Sequence, residues 1–136
     1  VRMKVIQFAF DSREESDYLP HNYEKNCVVY TGTHDNDTLC GWYKVLDPED
    51  LKLSQKYMNN ANTPKTQIHW DFIRLALASV ADLCIIPLQD YLGLGSEARI
   101  NTPSTLGNNW RWRMKSGCLT EDLAEQIKEM TKLYGR

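Results

Sequence analysis

The run Val28-Val29-Tyr30-Thr31-Gly32-Thr33-His34-Asp35-Asn36-Asp37 constrains this chain most, because an apolar, β-branched stretch stops abruptly at a histidine beside a carboxylate. Such residues favour a pleated, packed strand, and the ionisable pair that follows has left the packed region. Three apolar runs of strand length occur, at residues 4–10, 27–33 and 83–89, and each gives way to polar residues. Val, Ile and Cys follow one another in them without alternation, which suits strands covered on both faces, as in a parallel sheet. The segment 11–26 between the first two runs is rich in Asp, Ser, Pro and Asn and has no helical period. A hairpin fits these two runs locally as well as a parallel pair does. Pro87 interrupts the third run and removes a ladder donor, so a bulge or strand end is expected there.

Helical patterns lie between the second and third runs. Asp37 is expected to cap a helix running through Trp42, and Asp47 to cap one whose first turn holds Pro48, Glu49 and Asp50 and which continues over 51–58. Ile68, Phe72, Ile73, Ala76, Leu77 and Val80 trace a 3.6-period stripe, the face a helix lays on a sheet. Thr120 opens the last helix, with Leu123, Ile127, Met130 and Leu133 on one face and Gly135 just past its end.

The 136 residues carry a net charge of −2, with 42% hydrophobic and 25% charged side chains, which is ordinary globular usage. That balance gives no long-range field for nucleic acid or an anionic membrane, and Arg111, Arg113 and Lys115 are too small a cluster to change it. No apolar run approaches the ~20 residues of a membrane span, and no signal-peptide pattern opens the chain. A cytoplasmic location is the expectation. Cys27, Cys40, Cys84 and Cys118 are widely spaced, which reads as four reduced thiols, with Cys27 and Cys84 packed as small hydrophobes.

The chemistry of His34 and Asp35 follows from their type. A carboxylate that does not itself attack can still stabilise positive charge building in a transition state, and with the histidine beside it can hydrogen-bond hydroxyl groups. Metal binding is the rival reading, and its spacing fails. A calcium loop counted from Asp35 needs glycine and glutamate where Cys40 and Leu46 stand, and neither His21, His34 nor His69 belongs to an H-x-x-x-H pattern. No metal and no cofactor are expected. Gly93-Leu94-Gly95-Ser96 lacks the GK[ST] ending of a phosphate loop and reads as a turn after a strand.

VVYTGTHDND resembles the seventh-strand motif of the 4-alpha-glucanotransferases, the amylomaltase or disproportionating-enzyme family. IQFAFDS from Ile6, YLPHNY from Tyr18, PLQDYLGLGSEARINTP from Pro87 and NNWRWR from Asn108 resemble further family segments in the family's order. The resemblance covers nearly the whole chain and is weakest over 47–67. It implies an α/β fold, the carboxyl-terminal portion of a (β/α)8 barrel, with the three runs as its last three strands and the site at their carboxyl ends. It makes Asp35 the transition-state stabiliser, with His34 in the same subsite and Asn109 a glucan contact. Glu97, Arg99 and Asn101 then shape the rim through a charge-assisted pair, Trp112 and Arg113 anchor their loop, and Tyr30 and Trp42 pack. Tyr18, Pro20, His21 and Asn22 form a rim loop.

The resemblance also implies a nucleophilic aspartate and a glutamate acid/base on strands that precede Val1. The chain, opening without methionine just before a strand, therefore reads as a carboxyl-terminal fragment of an enzyme several times longer, inactive alone and without a second domain. The partners implied are maltooligosaccharides and 4-linked glucans, the amino-terminal part of the same enzyme, and other copies of the chain, through unpaired edges and an uncovered face. Val5, Phe8, Val28, Val29, Ile85 and Ile86 are expected to need that cover. The alternative is a non-catalytic glucan-binding or interaction module, which would more often be an alternating all-β sandwich.

Overall fold

The computed structural model describes residues 2–136, which form an α/β arrangement around a parallel sheet of three strands. β1 (Arg2–Val5), β2 (Cys27–Tyr30) and β3 (Leu83–Ile85) pair in chain order, so β2 is central. Met3 stands beside Val28, and Val28 beside Leu83. The hairpin alternative is thereby excluded. Residues 11–26 return the chain to the start of the sheet, with one turn of 3-10 helix at Pro20–Asn22.

Every strand is shorter than its apolar run. β1 gives way to a 3-10 turn at Ile6–Phe8 that buries Ile6 and Gln7. β2 ends at Tyr30, where Thr31 turns its hydroxyl to a carboxylate instead of continuing the ladder. β3 ends at Ile85, ahead of Pro87, which lacks the N–H a ladder needs and caps the short α4 (Leu88–Tyr91).

The helices follow their local signals with one correction. α1 (Leu39–Lys44) is capped by Thr38, whose side chain accepts from the Gly41 N–H, and not by Asp37. Asp37 is diverted because its carboxylate accepts from the Thr38 N–H and from Ser96 Oγ, both at 2.7 Å. Asp47 caps α2 (Pro48–Met58) through the Glu49 N–H. α3 (Ile68–Ala78) buries the expected Ile68, Phe72, Ile73, Ala76 and Leu77, together with His69 and Trp70. Val80 lies past its end and is exposed. Thr120 caps α5 (Glu121–Leu133) through the Leu123 N–H. The terminal Arg136 donates to the carbonyls of Leu77, Ser79 and Ala81, closing off the carboxyl end of α3.

In-register residues share a face, and the two faces of the sheet differ. Cys27, Val29 and Cys84 pack into the core with Phe10, Leu39, Phe72, Ile73 and Met130, so both cysteines do behave as small hydrophobes. Burial pushes the Cys84 thiol up to about 11, and all four cysteines are free thiols. Trp42 packs edge-on against Phe72. The other face is largely bare: Met3, Leu83 and Ile85 are 52%, 55% and 40% exposed. Of the residues expected to need cover, Phe8 and Ile85 are exposed, Val28 and Ile86 are half-buried, and Val5 and Val29 are fully buried. Val29 is covered because it alternates to the helix side. Among the described residues no helix is long and apolar enough to cross a membrane.

Candidate active site

The loop that leaves β2 carries His34 and Asp35, and local hydrogen bonds explain its shape. Asn36 Oδ1 accepts from both the N–H and the hydroxyl of Thr33 at 2.9 Å, while the Asn36 N–H donates to the Thr33 carbonyl. These bonds close a turn from Thr33 to Asn36 that leaves the two intervening residues exposed. The side chains of His34 and Asp35 are 54% and 49% exposed, with Nε2 of the histidine 3.3 Å from Oδ1 of the aspartate.

Both ends of this loop meet one buried carboxylate. Asp90 accepts from Thr31 Oγ1 at 2.7 Å and from the Leu39 N–H at 2.8 Å. It is 2% exposed, and burial, reinforced by the nearby charge of Asp37, pushes its carboxyl up to about 6. Gln7, from the turn after β1, donates to the Asp37 carbonyl at 2.7 Å. All three strand ends thus converge on one loop.

The segment after α4 holds the loop from outside. Arg99 Nη2 donates to the Asp35 carbonyl at 2.8 Å and its Nε to the Asn101 carbonyl at 3.0 Å. Asn101 Nδ2 donates to Asp35 Oδ1 at 2.8 Å, and its N–H to the His34 carbonyl. The expected rim role of Arg99 therefore runs through backbone carbonyls, while Glu97 is engaged by the Gly95 N–H.

Asn109 lies in the loop that follows Asn101, and its side chain is occupied there. Its Oδ1 accepts from the Thr102 N–H at 2.9 Å, and its Nδ2 donates to Thr105 Oγ1 at 3.0 Å. The neighbouring Trp110 belongs to the segment Asn108–Arg113, whose flat indole faces suit a sugar platform, but nothing in the sequence places it beside His34. It is 60% exposed, has a positive φ of 60°, and sets its ring 5.1 Å from that of His34. A bulky residue in left-handed backbone costs free energy and is held there by its surroundings, here a 2.7 Å bond from its N–H to the Ile100 carbonyl. Trp112 and Arg113 face a cavity of about 450 Å³ shared with Leu92 and Leu94. His21 is spent on Glu15 and Tyr57. Among the described residues no group of three His, Cys, Asp or Glu side chains is placed to hold a metal ion.

Residues 1–120 match the family model described as 4-alpha-glucanotransferase. The chain belongs to the 4-alpha-glucanotransferase family. It is 50% identical over 135 residues to the 4-alpha-glucanotransferase of Clostridium butyricum, a match that covers 98% of this chain and 27% of that protein. It is 45% identical to the chloroplastic/amyloplastic 4-alpha-glucanotransferase of Arabidopsis thaliana, covering 98% of the chain and 23% of the relative. The solved amylomaltase from Streptococcus agalactiae in complex with acarbose superposes with a TM-score of 0.91 at 38% identity, covering 98% of this chain and 27% of that one. The chain thus spans about a quarter of its relatives' length and matches their carboxyl-terminal part. The parallel sheet and this membership remove the ground for a separate all-β binding module. Family membership leaves the compartment open, since the plant relative's name is chloroplastic/amyloplastic.

Proposed function

We propose that this chain is the carboxyl-terminal part of a 4-alpha-glucanotransferase, in which β1, β2 and β3 are the last three strands of a (β/α)8 barrel. The full-length enzyme moves maltooligosaccharide segments between 4-linked glucans by a retaining double displacement. Asp35 stabilises the oxocarbenium-like transition state and holds donor-sugar hydroxyls, and its charge matters most in the reacting complex, not in the bound ground state. His34 hydrogen-bonds a hydroxyl in the same subsite. Asn109 contacts glucan from the rim with the acceptor capacity its loop leaves free, and Trp110 adds a flat apolar face beside His34.

The observation that carries this reading is the half-exposed His34-Asp35 pair at the carboxyl end of the central parallel strand, the end where barrel enzymes place their chemistry. The nucleophile and the acid/base come from the rest of the enzyme, and the amino-terminal barrel strands cover the bare sheet face. Chromatography of products from maltotriose tests the proposal. The full-length enzyme should yield glucose together with longer maltooligosaccharides, and this chain alone should yield neither. A full-length protein that leaves maltotriose intact, or an active isolated chain free of host enzyme, would contradict it.

A further inference from the structure

We propose that Asn101 is the positioning residue of Asp35, an inference that rests on the stabilising role given to Asp35 above. The two segments are tied by a closed set of bonds. Arg99 spans from the Asp35 carbonyl to the Asn101 carbonyl, the Asn101 N–H holds the His34 carbonyl, and Asn101 Nδ2 then reaches Asp35 Oδ1 at 2.8 Å. The backbone of Asn101 is therefore fixed relative to the backbone of Asp35 before their side chains meet. A half-exposed aspartate beyond a strand end otherwise has several staggered rotamers open to it. The amide selects one, through a hydrogen bond strengthened by the carboxylate charge.

The bond also divides the labour of the two oxygens. Asn101 Nδ2 and His34 Nε2 both approach Oδ1, at 2.8 and 3.3 Å. Oδ2 accepts no hydrogen bond from any described residue, which leaves it for the sugar. Asn101 thus acts on the reaction through Asp35 and not by gripping substrate, and its loss should appear in turnover and not in binding.

The test is kinetic, in the full-length enzyme with maltotriose as substrate. Asn101→Ala should lower kcat ~10²-fold, the scale of a small misplacement of a catalytic group, and leave KM within about threefold. Asn101→Asp, similar in size but unable to donate and facing Asp35 with like charge, should be at least as impaired, and it replaces the alanine variant if that folds poorly. In an Asp35→Asn background the alanine change should cost less than about threefold, because the group it positions is already disabled. A raised KM with normal kcat, or an equal loss in both backgrounds, overturns the inference. If Asp35→Asn is impaired and Asn101→Ala is not, only the positioning role fails. If Asp35→Asn itself turns over normally, the underlying reading fails and takes this one with it.

Discussion

The Thr31 hydroxyl donates a 2.7 Å hydrogen bond to Asp90 Oδ2 across 59 positions of sequence, and Oδ1 of the same carboxylate takes the Leu39 N–H. One buried group thereby clamps both ends of the loop that carries His34 and Asp35. The clamp ties the sheet to the first turn of α1.

Asp90 gives stability a defined pH dependence. Its carboxyl is raised from the ordinary 3.8 to about 6, chiefly by burial, so the folded state binds a proton that the unfolded chain releases. The stability it contributes is fully present below 3.8 and is lost as pH rises through about 6, by on the order of 3 kcal/mol. Burial lowers the pKa of His69, which acts in the opposite direction: its contribution is present above 6.5 and is lost as pH falls below it. Comparison with Asp90→Asn isolates the first effect. Thermal unfolding of the full-length enzyme should show a gap between native and variant that shifts in favour of the variant from pH 4 to pH 7. Parallel curves would refute the raised pKa.

Gly93 occupies left-handed backbone at φ +65°, and a Cβ there would lie 2.7 Å from the ring of the buried His69. Gly93→Ala should therefore destabilise by ~1–3 kcal/mol, combining backbone strain with displacement of the imidazole. A melting temperature unchanged within error would show that His69 moves aside freely.

The bare sheet face makes a prediction about the isolated chain. Met3, Leu83 and Ile85 expose apolar surface in the two outer strands of one three-stranded sheet, an association template. Light scattering at micromolar concentration should report species larger than a monomer, and Leu83→Lys should reduce them. A stable, cooperatively unfolding monomer would contradict both the need for cover and the fragment reading.

What was legible in the sequence was short in range. Asp47 and Thr120 announced their helices because a cap bonds within its own turn, and Pro87 announced the end of β3 by lacking a donor. Asp37 and Thr38 are both competent caps, and the choice between them was settled by Ser96, 59 positions from Asp37. The same distance hid Asp90 and Asn101, whose partners lie 51 to 66 positions away. Parallel pairing was not readable from the runs themselves, since their residues serve a hairpin equally well. His34 and Asp35 stand out as candidates because the motif around them is contiguous, whereas Trp110 is distinguished only by the fold that sets it against His34.

The central claim is that Asp35 supplies charge to the transition state of glucan transfer. Turnover of maltotriose by the full-length enzyme carrying Asp35→Asn measures it directly. The account predicts a fall in kcat of at least ~10²-fold with an unchanged melting temperature, a smaller loss for His34→Ala, and no effect of EDTA on the native enzyme. Near-normal turnover by a folded Asp35→Asn enzyme would contradict it.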